Sequence, residues 1–142
     1  MPASNEDRLR LLRGLLAFSI VTTGLHYTHN FFEIDSYPGT FVSGAAVQAA
    51  ILLFWPVLTI GGLYGYRLYR EGRLPEAHRL LALYSLTGLT TPLHFLSGNP
   101  DIPGFFYATI FTDGLAGAAI LAFVLASARA GRRDPSLRAG HA

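Results

Sequence analysis

Four stretches of the sequence carry almost no charge, and each is long enough to cross a lipid bilayer as a helix. The longest, 41–66, has no charged residue at all. The stretches 14–32, 80–100 and 105–128 have no arginine, and Asp113 is their one carboxylate. A helix rises ~1.5 Å per residue and the hydrocarbon core is ~30 Å thick, so about 20 residues suffice. We therefore predict four transmembrane spans, at approximately 12–31, 42–66, 79–97 and 104–128.

The composition is typical of a membrane protein rather than a soluble domain. Of the 142 residues, 51% are hydrophobic and only 14% are charged, and the mean hydropathy is +0.35. Soluble domains carry about 25% charged residues. Cysteine is absent, which excludes disulfides, thiolate metal ligands and cysteine nucleophiles. The net charge is +2, but no basic face with interleaved aromatic residues is present, so we expect no nucleic-acid partner.

All positive charges fall on one side of this four-span arrangement. Three arginines lie before residue 14, four lie between residues 67 and 79, and four lie beyond residue 128. The other two connections contain no arginine. Cytoplasmic segments of membrane proteins carry such an excess of basic residues. We therefore predict an all-α, up-down-up-down four-helix bundle, a single multi-pass domain of a cell membrane such as the bacterial inner membrane, with both termini cytoplasmic.

Local signals refine the helix limits. Ser4 followed three residues later by Asp7 predicts a helix start, because the two side chains can cap each other's backbone. Pro56 predicts a kink within the second span, and Pro92 predicts a break near the end of the third. Pro103 suits the first turn of the fourth helix.

Polar residues recur near the predicted extracytoplasmic face. His26 and His29 are three apart, so they share one face of the first helix. His94 lies near the outer end of the third span, and Asp113 lies roughly 13 Å deep in the fourth. We predict that these groups line one polar pocket open to the outer side. Four further residues are expected to contribute to it: Thr22, Asn30, Gln48 and Thr91.

Each of these residues also has a purely structural interpretation. An ionised carboxylate in the bilayer centre costs ~2.5–3.5 kcal/mol on insertion scales, so Asp113 must be protonated, paired or in contact with water. A neutral Asp113 that hydrogen-bonds between helices for packing would satisfy this requirement. The histidines could instead belong to the aromatic belt at the membrane surface, where amphipathic rings are common.

Three chemistries fit the predicted pocket. In the first, a divalent metal ion such as zinc is bound by His26, His29, His94 and Asp113. The site would then hydrolyse a lipid-like substrate, with Asp113 and His94 as the catalytic residues. In the second, His26 and His94 are the axial ligands of a b-type haem. In the third, the same groups form a proton relay or bind a lipophilic molecule without a metal.

The predicted function is therefore a small polytopic membrane protein whose His/Asp pocket binds a metal ion or a lipophilic ligand, and an enzymatic role stays open. One alternative is a non-catalytic accessory subunit that packs against a larger membrane complex. Another is a small proton-coupled transporter that works as a homo-oligomer. The glycines expected to mediate packing in the accessory subunit are Gly61, Gly62, Gly65, Gly114 and Gly117.

Two further ring side chains are predicted to lie outside the pocket. Trp55 is in the middle of the second span, away from the interface that tryptophan prefers, and is expected to pack between helices. His78 lies in the arginine-rich connection between the second and third spans and is expected to be solvated.

Overall fold

The computed structural model describes residues 4–37, 44–96 and 98–133, except for the side chains of His94 and Arg133. These residues form four α-helices and no strand. The helices are α1 (Asn5–Phe32), α2 (Gly44–Arg70), α3 (Leu74–Leu89) and α4 (Gly104–Arg133). Short 3₁₀ segments at Ile34–Ser36 and Thr91–Leu96 follow α1 and α3. The predicted all-α class is confirmed for the described part of the chain.

The local sequence signals are reflected in the helix ends. The Asp7 amide donates to the Ser4 hydroxyl at 3.1 Å, and the Asp7 carboxylate accepts from the Ser4 amide at 3.3 Å, which confirms the capping box. α2 continues through Pro56 as one helix. α3 ends at Leu89, and the chain around Pro92 is 3₁₀, as expected for a residue without an amide donor.

Helices that are consecutive in the chain are neighbours in space, so the four helices form a ring. α1 packs against α2 and α4, α3 packs against the same two helices, and α1 touches α3 only slightly across the centre. α2 and α4 lie diagonally opposite and meet through Tyr69, whose hydroxyl lies 3.0 Å from that of Ser127 and whose ring packs on Phe123. The turn between α2 and α3 is tight, and Gly72 adopts φ +79°, a left-handed conformation without steric cost for glycine. Such short connections make consecutive helices antiparallel.

The closest approach of two helices is between α3 and α4. Gly88 abuts the backbone carbonyl of Asp113, and a Cβ atom at Gly117 would lie 2.6 Å from the carbonyl oxygen of Ser85. Any side chain at either glycine would overlap the backbone of the facing helix. The two glycines therefore set the distance between α3 and α4.

The glycines expected to pack against an external partner are mostly used inside this bundle. A Cβ atom at Gly62 would lie 2.7 Å from Cγ of the Tyr84 ring. Gly65 and Gly114 also contact side chains of α3 and of the segment that follows it. Of the predicted set, Gly61 is the one at which an added Cβ atom would meet no described atom within 4 Å. A docking surface built from these glycines is therefore not supported.

The outside of the bundle is apolar along most of its length. α2 carries the most exposed large apolar side chains, and its most apolar part is almost entirely unburied. Two helices of the described chain, Gly44–Arg70 and Gly104–Arg132, are long and apolar enough to cross a membrane. Exposed apolar residues occur on every helix, among them Phe18, Val21, Leu53, Phe54, Ile60, Leu83, Leu86, Phe111 and Leu115.

The interior changes from apolar to polar along the bundle axis. Near the α2–α3 turn it is an apolar core of Leu12, Leu16, Leu68, Tyr69, Ala77, Leu81, Tyr84, Ile120, Phe123 and Val124. The other half buries polar residues: Ser19, Thr22, Thr23, His26, Asn30, Thr87, Thr91, Thr109 and Asp113. In a soluble protein, large apolar side chains concentrate inside and buried polar groups are the exception. This bundle instead has an apolar outer surface around a half-polar interior.

The two ring side chains outside the predicted pocket have different outcomes. Trp55 packs against Gly24 of α1, and its Nε1 donates to the Thr23 hydroxyl at 3.1 Å, which confirms that it packs between helices. The expectation for His78 was wrong. Its ring is half-buried, and Nε2 lies 3.1 Å from the Ser127 hydroxyl of α4 because the side chain turns inward from the start of α3.

Candidate functional site

Two residue pairs face each other across the α1–α4 interface. Thr22 and His26 are four residues apart on α1, and Thr109 and Asp113 are four apart on α4, so each pair shares one helix face. The Thr109 hydroxyl lies 3.5 Å from His26 Nδ1, and the Thr22 hydroxyl faces the Asp113 carboxyl. The structure thus brings together Thr22, His26 and Asp113 of the predicted pocket. It adds Thr109, which the spacing of four from Asp113 also indicates in the sequence.

His26 is enclosed by aromatic rings. The side chain has no solvent exposure, and its ring centroid lies 5.5 Å from that of Tyr27 and 6.1 Å from that of Tyr37, both edge-on. The Thr109 hydroxyl donates to the Phe106 carbonyl at 2.7 Å. Its lone pairs are therefore directed at His26, and a proton on Nδ1 has an acceptor there.

Asp113 is the most isolated polar group of this interface. It is fully buried, and neither carboxyl oxygen has a hydrogen-bond partner among the described residues. The Thr22 hydroxyl, which faces the carboxyl, donates instead to the Ser19 carbonyl at 3.2 Å. A buried carboxyl without partners is costly, and it is rarely kept unless it has a role.

His29 lies at the outer end of α1 and not beside Asp113. Its ring stacks on Phe106 at a centroid distance of 3.6 Å, and Nδ1 lies 2.9 Å from the Tyr37 hydroxyl. Burial raises the pKa of Tyr37 to about 12, so the phenol keeps its proton at neutral pH and can donate it to the imidazole. His29 therefore belongs to an aromatic cluster with Phe106 and Tyr37 at the C-terminal end of α1, and the belt interpretation stays a prediction.

A separate cavity of about 290 Å³ lies between α1, α2 and α3. Asn30 and Thr91 of the predicted pocket line it. The other polar lining residues, Tyr27, Thr87 and Thr90, are absent from the predicted site. In the sequence, Thr90 and Thr91 follow Thr87 by three and four residues, and this spacing indicates that the three threonines share one helix face. The rest of the lining is apolar and comes almost entirely from α2: Val47, Ala50, Ile51, Phe54, Trp55 and Leu58.

The polar groups of the cavity are mostly engaged as donors. The Tyr27 hydroxyl donates to the Thr87 carbonyl at 2.9 Å, and the Thr90 hydroxyl donates to the Leu86 carbonyl at 2.8 Å. The Thr91 hydroxyl lies 2.7 Å from one carbonyl of α3 and 3.1 Å from another of α4. A hydroxyl has one proton to give but two lone pairs. The lining therefore offers acceptor oxygens, and the described residues that form it include no carboxylate, arginine or histidine.

Gln48 does not contribute to either group of residues. Its side-chain amide donates to the Phe31 carbonyl at 2.7 Å, which ties the start of α2 to the last turn of α1. At a helix C-terminus the last carbonyls have no intrahelical donor, so a side-chain amide satisfies one of them. This contact gives Gln48 a structural role.

The predicted metal and haem sites depend on His94, whose side chain lies outside the described part of the structure. Among the described residues, no group of three histidine, aspartate or glutamate side chains is arranged to hold a metal ion. His26, His29 and Asp113 therefore do not form a metal site by themselves. The four-ligand site and the His26–His94 haem stay predictions.

The chain matches no protein-family model, no curated protein and no solved structure. What it does must therefore be inferred from the two features above, the cavity and the buried pairs between α1 and α4.

Proposed function

We propose that this chain crosses a cell membrane four times, with both termini in the cytoplasm, and binds a neutral amphiphilic molecule near the extracytoplasmic face. The apolar outer surface of all four helices supports the membrane environment, because lipid can cover such a surface and water cannot. The arginines support the orientation. They stand at the start of α1, around the α2–α3 turn and at the end of α4, which form one end of an antiparallel bundle.

The cavity between α1, α2 and α3 is the single observation that carries the ligand proposal. One wall is apolar and is formed by α2, and the other presents oxygens of α1 and α3. Ligand sites in proteins combine such apolar linings with a few placed polar groups. The cavity is near the outer ends of these helices, because it includes Asn30 of α1 and Thr91 after α3.

The lining also indicates the chemical class of the ligand. Because the described lining residues include no charged side chain, a charged group would be desolvated there without compensation. Because the hydroxyls of Tyr27 and Thr90 donate to backbone carbonyls, they accept rather than donate toward the cavity. The best ligand is a neutral lipophilic molecule that carries a hydroxyl or another hydrogen-bond donor.

Filling the cavity is expected to abolish binding. Ala50 lines the cavity and Ala49, its neighbour on α2, is exposed on the outer surface. Both alanines can become leucine at little cost in helix propensity. We expect neutral lipophiles to co-purify with the wild type and with Ala49→Leu in mild detergent, and to be lost from Ala50→Leu. Solvent extraction followed by mass spectrometry measures this, and the thermal unfolding midpoint checks that both variants fold. Equal retention by the two variants would contradict the proposal.

The orientation is tested separately, and the absence of native cysteine makes this simple. Asp35 and Asn99 lie in the two connections without arginine, and Glu71 lies in the α2–α3 turn. All three are exposed, so a cysteine at any of them is accessible to reagent. In intact cells a membrane-impermeant maleimide is expected to label Asp35→Cys and Asn99→Cys but to reach Glu71→Cys only after permeabilisation. Labelling of residues 35 and 99 from opposite sides would refute the four-span arrangement.

A further inference from the structure

The buried pairs between α1 and α4 do not line the ligand cavity, so Asp113 needs an explanation of its own. Toward the outer end, further polar and ring side chains follow it, although no hydrogen bond joins the Asp113 carboxyl to them among the described residues. The Thr109 hydroxyl is one helical turn further out and lies 3.5 Å from His26 Nδ1. The His26 ring contacts Tyr37, and the Tyr37 hydroxyl lies 2.9 Å from His29 Nδ1 at the half-exposed rim.

In the opposite direction the polar contacts stop. The Tyr84 hydroxyl donates to the Ser19 hydroxyl at 3.1 Å, one turn inward of Thr22. Beyond this pair the interior is the apolar core that begins with Leu16, Leu81 and Ile120. These side chains are fully or almost fully buried. They form an apolar layer between Asp113 and the next polar cluster toward the arginine end, which consists of Tyr69, His78 and Ser127.

We propose that Asp113 is a proton-binding site that exchanges its proton with the extracytoplasmic side alone, through Thr109, His26 and the Tyr37–His29 pair. The proposal relies on the orientation given above but not on a ligand in the cavity. The proposed site exchanges its proton with one side of the membrane. A proton-coupled transporter must instead expose its site to both sides in turn.

A proton fits this position better than a metal ion. A hard cation needs several oxygen ligands, and the described residues supply no cluster of three acidic or imidazole side chains. A proton needs only one carboxyl oxygen. Binding it removes the charge that an unpartnered carboxylate would hold inside the membrane.

The groups that face Asp113 from each neighbouring helix determine how it responds to pH. α1 contributes Thr22 and Tyr27, and α3 contributes Tyr84. α2 contacts α4 near the arginine end, where the Tyr69 hydroxyl lies 3.0 Å from that of Ser127, and no arginine or second carboxylate of the described residues acts on Asp113. His26, whose imidazole has two ring nitrogens that can donate or accept a hydrogen bond, lies beside Thr109 one turn further out.

Dicyclohexylcarbodiimide tests the proposal, because this apolar reagent enters membranes and converts a protonated carboxyl into a stable N-acylurea. Sealed right-side-out and inverted vesicles are prepared from cells that make the full chain. The pH on one side is varied while the other side is buffered at a fixed value. We expect the extent of Asp113 modification, measured by peptide mass spectrometry, to fall several-fold when the extracytoplasmic pH is raised. The cytoplasmic pH is expected to have no effect.

The matched controls separate the possible failures. Asp113→Asn removes the modified peptide, and Ala49→Leu, at an exposed position of α2, is expected to leave the pH response unchanged. Dependence on the cytoplasmic pH, on both sides, or the absence of modification at every pH would overturn the proposal. If labelling of the cysteine variants in the same vesicles places residues 35 and 99 on the cytoplasmic side, the result contradicts the orientation in the proposed function and not the proton site.

Discussion

Replacing Gly88 by alanine is expected to cause the largest loss of stability of any single methyl addition in this bundle. The new Cβ would overlap the backbone carbonyl of Asp113, and a carbonyl within a helix cannot rotate away as a side chain can. α3 and α4 would have to separate, which also displaces Gly117 from the Ser85 carbonyl. Overpacking typically costs about 1–3 kcal/mol and more where the backbone must move. Thermal unfolding in detergent, followed by circular dichroism, measures the change.

Gly61→Ala is the matched control. This glycine is also within a helix, but no described atom lies within 4 Å of the position its Cβ would take. Because alanine is favoured over glycine in helices by roughly 0.5–1 kcal/mol, this variant is expected to be slightly more stable than the wild type. Gly62→Ala, next to it, should fall between the two, since its new methyl meets the Tyr84 ring rather than backbone. Equal midpoints for Gly88→Ala and Gly61→Ala would show that α3 and α4 are not in close contact.

The helices could be predicted because their signals are local. The Ser4–Asp7 pair and Pro92 act within one or two turns, and run length is read along a single continuous segment. The structure has the corresponding helix ends. The contact at Gly88 could not be predicted in this way. The sequence around Gly88 does not indicate which group it contacts. That group, the Asp113 carbonyl, lies close to it only because α3 packs on α4.

The site could be predicted in part for the same reason. Spacing of four placed Thr22 with His26, and the α1–α4 contact brought them to Asp113. The spacing of residues does not show toward which neighbour a helix face is directed. The residues predicted to share one pocket are therefore divided between the α1–α4 interface and the cavity between α1, α2 and α3. Asn30 turned out to share a cavity with Thr91 rather than an interface with Asp113. Gln48 was indistinguishable in the sequence from a pocket residue but satisfies the end of α1.

Asp113→Leu is expected to stabilise the protein while removing the proposed proton site. Leucine has the same branching as aspartate, and both carboxyl oxygens of Asp113 are buried without a partner among the described residues. An unsatisfied buried polar group costs about 1–3 kcal/mol, and an apolar group of the same shape avoids that cost. The unfolding midpoint in detergent should therefore rise, which is unusual for a substitution at a fully buried position.

The control for this effect is Asp101→Leu, which makes the same exchange at an exposed carboxyl in the connection before α4. It removes no buried polar group, so no gain in stability is expected there. Asp113→Ala, which has no added volume, separates the loss of the carboxyl from any crowding by leucine. If both variants at position 113 are less stable than the wild type, Asp113 contributes to packing and the neutral-acid interpretation holds. A gain in stability would instead show that the carboxyl lowers the stability of the wild type. A group kept for packing would not do this, whereas a group kept for function can.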